Sequence, residues 1–443
     1  MNGRLTGHVF QRTWETKDGE ERKSWAYAVE RGRVDGRRLT PLTRGPFRTQ
    51  KEAGAALRDE LGAREAGTWI EPTRQTVGEW FAQEWVPTLA SSRLRATTRD
   101  LYARMVRLHI EPKPFGALLI QTLRPRDVSE LFDRLAAEGS PGGRGPLGPG
   151  SLHNVRTVLH KGLKMAQAEH IVARNVVALV DPPARTQYDD DEEEGEPEHW
   201  TPEQVAQFLD YVDAATLDGQ IVERRKSRKG TEYVYRRTVA ADPMLRAVLY
   251  LLAYTGMRRG EACGLRWKHV HLDKGTLDIR GARVMVGGQP QQSGAKTRRG
   301  RRSLKLDAEV VAALRTWKAA QNKMRLRWGA DWADDGDHVF THEMWFAKPV
   351  RYGVPVRPDW VSAKFRQFRK GAALPALKLH GLRHSYVTTA AEQGVSSRDI
   401  ADAVGHADVS VTERYYRHTF ERVQEVAQAQ VANAIRGARG GDA

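Results

Sequence analysis

Two short stretches carry most of the information in this sequence. The first is T-G-M-R-R-G-E-A-C-G-L-R-W at residues 255–267, and the second is H-G-L-R-H-S-Y at residues 380–386. A Gly-His dipeptide at 405–406 and a Tyr-Tyr doublet at 415–416 follow them. In this order the chain supplies arginines and histidines that can bind a phosphodiester and a phenol that can attack it.

The first stretch predicts a phosphate-binding arginine. Gly256 is expected to end one helix in a left-handed turn, and the next helix is expected to start at Arg258. A helix N-terminus beside a guanidinium favours phosphate, because backbone N–H groups and the planar fork point the same way. Glu261 lies on the same helical face and is expected to orient Arg258. The alternative is a surface arginine with a local acidic partner.

The second stretch supplies a second arginine. Arg383 follows His380 at a spacing that places both on one helical face, and the adjacent His384 is expected to point elsewhere. Two arginines from distant positions can bind both non-bridging oxygens of one phosphodiester, which stabilises a doubly charged transition state without a metal. No cluster has the spacing of a metal site. His380 and His406 can share hydrogen bonds with phosphate oxygens, although a lone histidine is more often structural.

A cation-rich segment lies between the two stretches. Lys296 belongs to G-A-K-T-R-R-G-R-R at 294–302, which is expected to be a hairpin tip. A lysine with a lowered pKa could protonate a leaving 5′ oxygen, but the spacing does not say which cation does so. A tyrosine hydroxyl is a weak nucleophile and needs neighbouring cations and a base, which the predicted arginines and histidines would supply.

Composition favours a polyanionic partner. The chain has 443 residues and a formal net charge of +16, even though eight carboxylates crowd into residues 189–198. Such a balance favours nucleic acid, the alternative being a basic protein without that role. The single cysteine, Cys263, excludes an internal disulfide and is expected to be buried in a reducing cytosol. No signal core or membrane-spanning run is evident, so we expect a cytoplasmic protein, associated with the nucleoid when DNA is bound.

Periodicity predicts a fold that is mainly α with small β elements, in the α+β class. The expected division is a three-stranded sheet plus one helix at 1–70, an all-helical segment at 76–182, an acidic linker at 183–198, a mixed segment at 199–436 and a tail at 437–443. A capping box at Thr49 and Glu52 predicts where the first helix begins.

Within the mixed segment, caps and apolar spacing predict individual elements. Helices are expected at 202–214, 243–255, 258–264, 307–323, 359–371, 381–393, 396–403 and 420–435. Short strands are expected at Thr276–Ile279, Ala282–Val286 and Arg302–Leu306, and a basic hairpin at 216–242.

Together these motifs resemble the tyrosine recombinases of the phage integrase family. The resemblance rests on T-G-M-R-R-G-E, G-A-K-T, H-G-L-R-H-S, V-G-H-A and Y-Y-R-H, in this order within 199–436. It implies a catalytic domain there. The helical segment is similar to the core-site DNA-binding domain of that family, and residues 1–70 are similar to the arm-site domains of larger integrases.

The resemblance also implies roles for the residues around the phosphate. Arg258 and Arg383 would hold the scissile phosphate, and His406 would donate a hydrogen bond to it. Glu261 would support the site structurally. Val404 in V-G-H-A replaces the usual leucine of the family, and this change removes no chemical group from the mechanism.

For the chemical step, the resemblance implies that Tyr416 attacks phosphorus, with His380 as general base and Lys296 as general acid. Tyr415 is the alternative nucleophile, since both tyrosines lie at a distance from His406 that the family uses. Tyr416 is favoured because Arg417 and His418 follow it in the pattern common to the family. Gly381 stands where the family usually has aspartate.

The implied function is site-specific recombination. The enzyme would integrate or excise a phage or mobile element by cutting and rejoining DNA through a 3′-phosphotyrosyl intermediate, without ATP, metal or other cofactor. The implied partners are double-stranded DNA attachment sites and other copies of the chain in a tetramer. A directionality factor and a host DNA-bending protein are further candidates. The alternatives are a non-catalytic recombinase relic that only binds DNA and a DNA-relaxing enzyme of the type IB topoisomerase kind.

Overall fold

The chain is mainly helical with several small antiparallel sheets, as the sequence predicts. The computed structural model describes residues 6–15, 21–30, 33–34, 37–38, 40–66, 69–141, 143, 145–181, 199–226, 232–238, 240–294, 301–333, 336–344, 351–406, 408–416, 428 and 430–436. It divides into two compact units, Met1–Ala184 and Arg185–Ala443. Within these ranges no helix has the length and apolar character that crossing a bilayer requires.

The first unit begins with the expected sheet and helix. Its strands are β1 (Gly7–Glu15), β2 (Glu21–Val29), β3 (Arg33–Val34), β4 (Arg37–Arg38) and β5 (Leu42–Phe47), followed by helix α1 (Gln50–Glu65). β1, β2 and β5 form an antiparallel sheet in that order. The capping box of Thr49 and Glu52 is present, which confirms the predicted start of α1. A small core of Tyr27, Val29 and Leu57 joins α1 to the sheet.

The rest of the first unit is helical around a separate core. Its helices are the run Val77–Glu79, Trp80–Trp85 and Val86–Thr88, then α2 (Ala96–Met105) with its continuation Val106–Ile110, α3 (Pro125–Ala137) and α4 (Pro149–Ala168). Short 3-10 turns lie at Leu89–Ser91, Phe115–Ala117, Ile120–Thr122 and Val176–Leu179. Trp80–Trp85 and Val106–Ile110 are π-helical. The Trp80 indole donates to the carbonyl of Gly162 at 3.2 Å, which fixes α4 against the first helical run.

The second unit surrounds one large apolar core. Its helices are α5 (Pro202–Thr216), α6 (Pro243–Thr255), α7 (Arg259–Cys263), α8 (Ala308–Trp328), α9 (Pro358–Gly371), α10 (Gly381–Glu392), α11 (Ser397–Val404) and α12 (Val409–Tyr415), with 3-10 turns at Trp267–His269 and Gly329–Asp331. α6 lies at the centre of this core, with nearly all of its residues buried. A satellite core of Val387, Ala391, Ile400, Val404 and Tyr416 joins α10, α11 and the end of α12.

The strands of the second unit form hairpins and one three-stranded sheet. They are β6 (Gln220–Lys226), β7 (Glu232–Thr238), β8 (Val270–His271), β9 (Thr276–Ile279), β10 (Gly281–Val286), β11 (Gln289–Gly294), β12 (Arg302–Lys305), β13 (Thr341–Met344) and β14 (Arg351–Pro355). The sheet has the order β12-β9-β8, and the hairpins are β6-β7, β10-β11 and β13-β14. The β6-β7 pair confirms the predicted basic hairpin.

Most predicted elements of this unit are confirmed within a few residues. The helix predicted at 243–255 has those bounds, because Asp242 caps its start and Gly256 ends it. The sequence interpretation missed α12, β11 and the β13-β14 hairpin. Of the helix predicted at 420–435, only 428 and the helical stretch from 430 lie among the described residues. The predicted acidic linker at 183–198 and the tail at 437–443 lie outside the described residues.

Candidate active site

Gly256 and Arg258 build the first side of the site. Gly256 ends α6 with φ +57°, and a Cβ there would lie 2.8 Å from the Tyr386 ring, so the turn requires glycine. Arg258 caps α7: its backbone N–H donates to Glu261 at 2.9 Å, and its Nη1 donates to the same carboxylate at 3.1 Å. These contacts are the ones expected for an arginine oriented by Glu261.

Arg383 lies on α10 and is almost completely buried. Its Nη1 donates to the carbonyl of Gly256 at 3.0 Å. Its Nη2 is buried and has no hydrogen-bond partner in the part of the chain that the structure describes. Burial and the nearby charge of Arg258 lower the pKa of Arg383 to about 9. An incompletely paired guanidinium beside a second cation is a site that favours an anion.

The two arginines open onto one cavity. Its volume is about 540 Å³. The cationic residues that line it are Arg258, Arg259, Arg366, Lys378 and Arg383. His380 also lines it. Two guanidinium groups that are distant in the sequence therefore meet at one cavity, as expected.

A buried ion pair connects this site to β12. Arg302 donates to both oxygens of Glu261, at 3.2 and 3.0 Å, and its side chain is only 7% exposed. Its Nε donates to the carbonyl of Ala403 at 2.7 Å, next to the turn that carries His406. Burial opposes ionisation of Glu261, but the hydrogen bonds and charges of Arg302 and Arg258 outweigh it and lower its pKa.

Arg302 is a site residue that sequence reasoning missed. Leu304, two residues along β12, is buried, and side chains alternate between the faces of a strand. Alternation therefore places Arg302 on the same inward side as Leu304. The predicted strand contained this signal, but the surrounding run of cations suggested a solvated or DNA-contacting loop.

His406 follows the left-handed Gly405 that ends α11. Its Nδ1 shares a hydrogen bond of 2.7 Å with the Thr412 hydroxyl, and Arg258 Nη2 donates to the Gly405 carbonyl at 3.0 Å. Burial and the charges of Arg383 and Arg258 lower the pKa of His406 to about 4. The ring is therefore neutral at pH 7 and can donate one N–H to an anion.

His384 corrects the sequence interpretation. It was expected to point away from the site, yet its Nδ1 forms a hydrogen bond with the hydroxyl of Tyr416. Its ring also meets that of His380 edge-on, with centroids 5.0 Å apart. The signal was available, because residues 380 and 384 have the i, i+4 spacing that places side chains on one helical face.

Tyr416 is only 2% exposed and lies in the satellite core at the end of α12. Its hydroxyl contacts His384, which follows Arg383 on α10. Lys296 lies outside the described residues, as does the side chain of Tyr415. Across the ranges that the structure covers, no group of three or more His, Cys, Asp or Glu side chains could hold a metal ion.

Comparison with known proteins shows what the chain is similar to. Residues 234–422 match the model of the phage integrase family. An integrase of Streptomyces ambofaciens is 28% identical over 406 residues, covering 90% of each chain. Residues 234–422 form a phage integrase domain, and the chain is a tyrosine recombinase. It is therefore a site-specific recombinase, and neither the non-catalytic relic nor the topoisomerase-like alternative is favoured.

Other relatives and solved structures are similar to this recombinase. The ICEBs1 integrase of Bacillus subtilis (strain 168) is 24% identical over 309 residues, covering 69% of the recombinase and 70% of the relative. The fold resembles that of the Tn1549 transposon integrase in complex with transposon right end DNA, with a TM-score of 0.57 and 18% identity over 80% of the recombinase and 99% of that chain.

Proposed function

We propose that this recombinase integrates and excises a mobile DNA element by cutting and rejoining DNA through a 3′-phosphotyrosyl intermediate. The observation that carries the proposal is the meeting of Arg258, Arg383 and His380 at one cavity, while Tyr416 contacts His384, which follows Arg383 on α10. Relatives of the chain include the integrase of ICEBs1 and that of the Tn1549 transposon, which support a mobile element as the substrate.

In the proposed reaction, Arg258 and Arg383 bind the non-bridging oxygens of the scissile phosphate. The unpaired Nη2 of Arg383 supports this role, and His406 donates a further hydrogen bond. As the Tyr416 oxygen bonds to phosphorus, the bond to O5′ breaks. Lys296 protonates the leaving O5′, and a histidine accepts the phenolic proton. His380 is the acceptor that the family resemblance implies.

The reverse reaction reseals the DNA. A 5′-hydroxyl attacks the phosphotyrosyl phosphorus, the bond to Tyr416 breaks, and the phenol recovers its proton. Because the phosphotyrosyl ester replaces a phosphodiester of similar energy, this chemistry needs neither ATP nor a metal ion.

Tyr416 is proposed as the nucleophile rather than Tyr415. Its hydroxyl already contacts His384, which follows the cationic Arg383 on α10. A phenol needs this combination of an acceptor and nearby cations to become an effective nucleophile at neutral pH.

The remaining segments are proposed to bind DNA and to assemble the complex. Residues 1–70 would bind arm sites, and residues 76–182 would bind the core site. Exchange between two duplexes requires four cleavages, which fits a tetramer with one active site per copy. Val431 and Ile435 support docking between copies, since their side chains are 60% and 55% exposed on the C-terminal helix.

A nicked suicide substrate tests the proposal. The DNA flanking the gene should contain the attachment site, marked by direct repeats and an adjacent tRNA gene. On that site the native protein should form a covalent adduct that survives denaturation, and Tyr416→Phe should abolish it. If Tyr416→Phe still formed the adduct and Tyr415→Phe did not, the nucleophile would be Tyr415. Relaxation of plasmids that lack the site would instead favour the topoisomerase alternative.

A further inference from the structure

The cavity of the active site carries three cations that the proposed reaction does not use. Arg259 begins α7, Arg366 lies on α9, and Lys378 lies between α9 and α10. Each of these side chains is exposed, and each lines the cavity that Arg258 and Arg383 also line. The three residues, called the second cluster below, come from separate parts of the chain, so the fold rather than a charged run in the sequence brings them together.

No acidic side chain balances the second cluster within the described residues. Nη1 of Arg259 donates to the hydroxyl of Ser362 at 2.6 Å, and this acceptor is neutral. The side chains of Arg366 and Lys378 have no hydrogen bond or ion pair to any residue that the structure describes. Among the described residues that line the cavity there is also no carboxylate. The cavity therefore holds positive charge that a bound anion would balance.

The cavity is larger than one phosphate group requires. A water molecule takes up about 30 Å³ of the liquid, so the four oxygens of a phosphodiester need on the order of 120 Å³. The volume of the cavity is about 540 Å³. A phosphodiester held by Arg258 and Arg383 would therefore leave room in the cavity for a further group.

The geometry of DNA indicates what this further group is. Phosphates of one strand follow each other about every 3.4 Å along the helix axis, and each carries a negative charge. Phosphates of the opposite strand are separated from them by a groove. A strand that places one phosphodiester at Arg258 and Arg383 therefore brings its next phosphate to the rim of the same cavity.

We propose that Arg259, Arg366 and Lys378 form a second phosphate subsite, which binds a phosphodiester that flanks the scissile one on the same strand. The inference rests on the proposed function and deepens it. The second cluster contributes binding energy and positions the strand, whereas Arg258 and Arg383 hold the phosphate that reacts. Arg259 links the two subsites, because it follows Arg258 directly in the chain.

Removal of charge tests the subsite with little risk to the fold, because Arg366 and Lys378 are exposed. Arg366→Gln and Lys378→Gln, made singly and together, keep a polar side chain and remove the charge. Lys323→Gln is the matched control, since Lys323 is exposed on α8 and does not line the cavity. Binding is measured with Tyr416→Phe as the parent protein, so that no cleavage occurs. Thermal unfolding is measured for each variant to establish that it folds.

The probe is attachment-site DNA in which one phosphate is replaced by an uncharged methylphosphonate. The replacement is made at each position that flanks the scissile phosphate, on the cleaved strand and then on the opposite strand. At one position of the cleaved strand we expect it to weaken binding to the parent about tenfold or more, since hydrogen bonds between charged groups contribute that much. The same replacement should cost the double variant little, because the phosphate charge has already lost its partners.

Two further measurements follow the role of the second cluster. On unmodified DNA, the salt dependence of binding should be less steep by about one unit of slope in the double variant, whereas Lys323→Gln should keep the slope of the parent. In single-turnover cleavage with Tyr416 intact, most of the effect should appear in the protein concentration that gives half of the maximal rate, rather than in the rate at saturation.

Equal methylphosphonate penalties in the parent and the double variant, at every position tested, would overturn the inference. It is also overturned if the penalties differ only on the opposite strand. A loss of about 10²-fold in the cleavage rate at saturation, with unchanged affinity, would assign the second cluster to the scissile phosphate instead. Failure of the proposed function looks different: the native protein would form no adduct, whereas the methylphosphonate comparison needs no cleavage and reports on the subsite alone.

Discussion

At the scale of the residue, the histidines of the site differ from ordinary histidines because they are buried among cations. For His384 and His406 the pKa is lowered from 6.5 to about 4, and burial is the largest cause in both. Both rings are therefore neutral in the folded protein at pH 7. The same burial that keeps them neutral also makes the fold sensitive to acid.

This sensitivity gives a prediction for stability. Between pH 6.5 and about 4 the unfolded chain protonates His384 and His406 while the folded chain does not, so acidification favours unfolding. The urea concentration at the unfolding midpoint should be lower at about pH 5 than at about pH 7, and His384→Asn should reduce this difference. His271→Asn, a substitution at an exposed position of β8, is the control. An equal acid sensitivity in the native protein and His384→Asn would contradict the explanation.

At the scale of the element, one ion pair connects three parts of the second unit. Glu261 lies on α7, Arg302 on β12, and the Ala403 carbonyl that Arg302 binds lies on α11. Both charged side chains are less than a tenth exposed, at 7% and 8%. The elements that carry Arg258 and His406 therefore share one buried support.

Removing that support should be costly. Glu261→Gln leaves the buried Arg302 without an anionic partner, which typically costs about 3–5 kcal/mol of unfolding free energy. Asp273→Asn is the control, since the Arg315–Asp273 pair is 56% and 98% exposed and such pairs contribute about 1 kcal/mol or less. Urea unfolding measures both. Similar losses in the two variants would contradict the role of burial.

The sequence predicted elements best where local signals mark their ends. Asp242 and Gly256 bound α6, and Thr201 with Pro202 starts α5. The β13-β14 hairpin, whose register is irregular, escaped prediction. Arg302 escaped because its partner Glu261 lies far away in sequence. His384 was within reach, because helical spacing alone places it beside His380.

At the scale of the whole molecule, the net charge of +16 favours binding to the negatively charged DNA backbone. Five Lys and Arg side chains line the cavity, whereas the chain has 71. Cationic side chains outside the reaction centre can therefore contact further phosphates. Binding is therefore expected to depend on ion release across a wide surface.

Salt should weaken binding steeply. A protein that neutralises six or more phosphates loses about 10³-fold in affinity or more between about 50 and 200 mM salt. Gel-shift or fluorescence titrations of the attachment site measure the slope, and Tyr416→Phe should share it because the phenol makes no ionic contact. A nearly flat response would exclude an extended contact with the DNA backbone.

Each of the three central guanidinium groups donates a hydrogen bond to a backbone carbonyl, in addition to any side-chain partner. Arg258 binds the carbonyl of Gly405, Arg302 that of Ala403, and Arg383 that of Gly256. A carbonyl is present whatever the residue, so drift in neighbouring side chains leaves these anchors in place as long as the chain keeps its path. Laboratory evolution toward new target sequences can therefore vary the surrounding surface widely, provided that it spares the turns themselves.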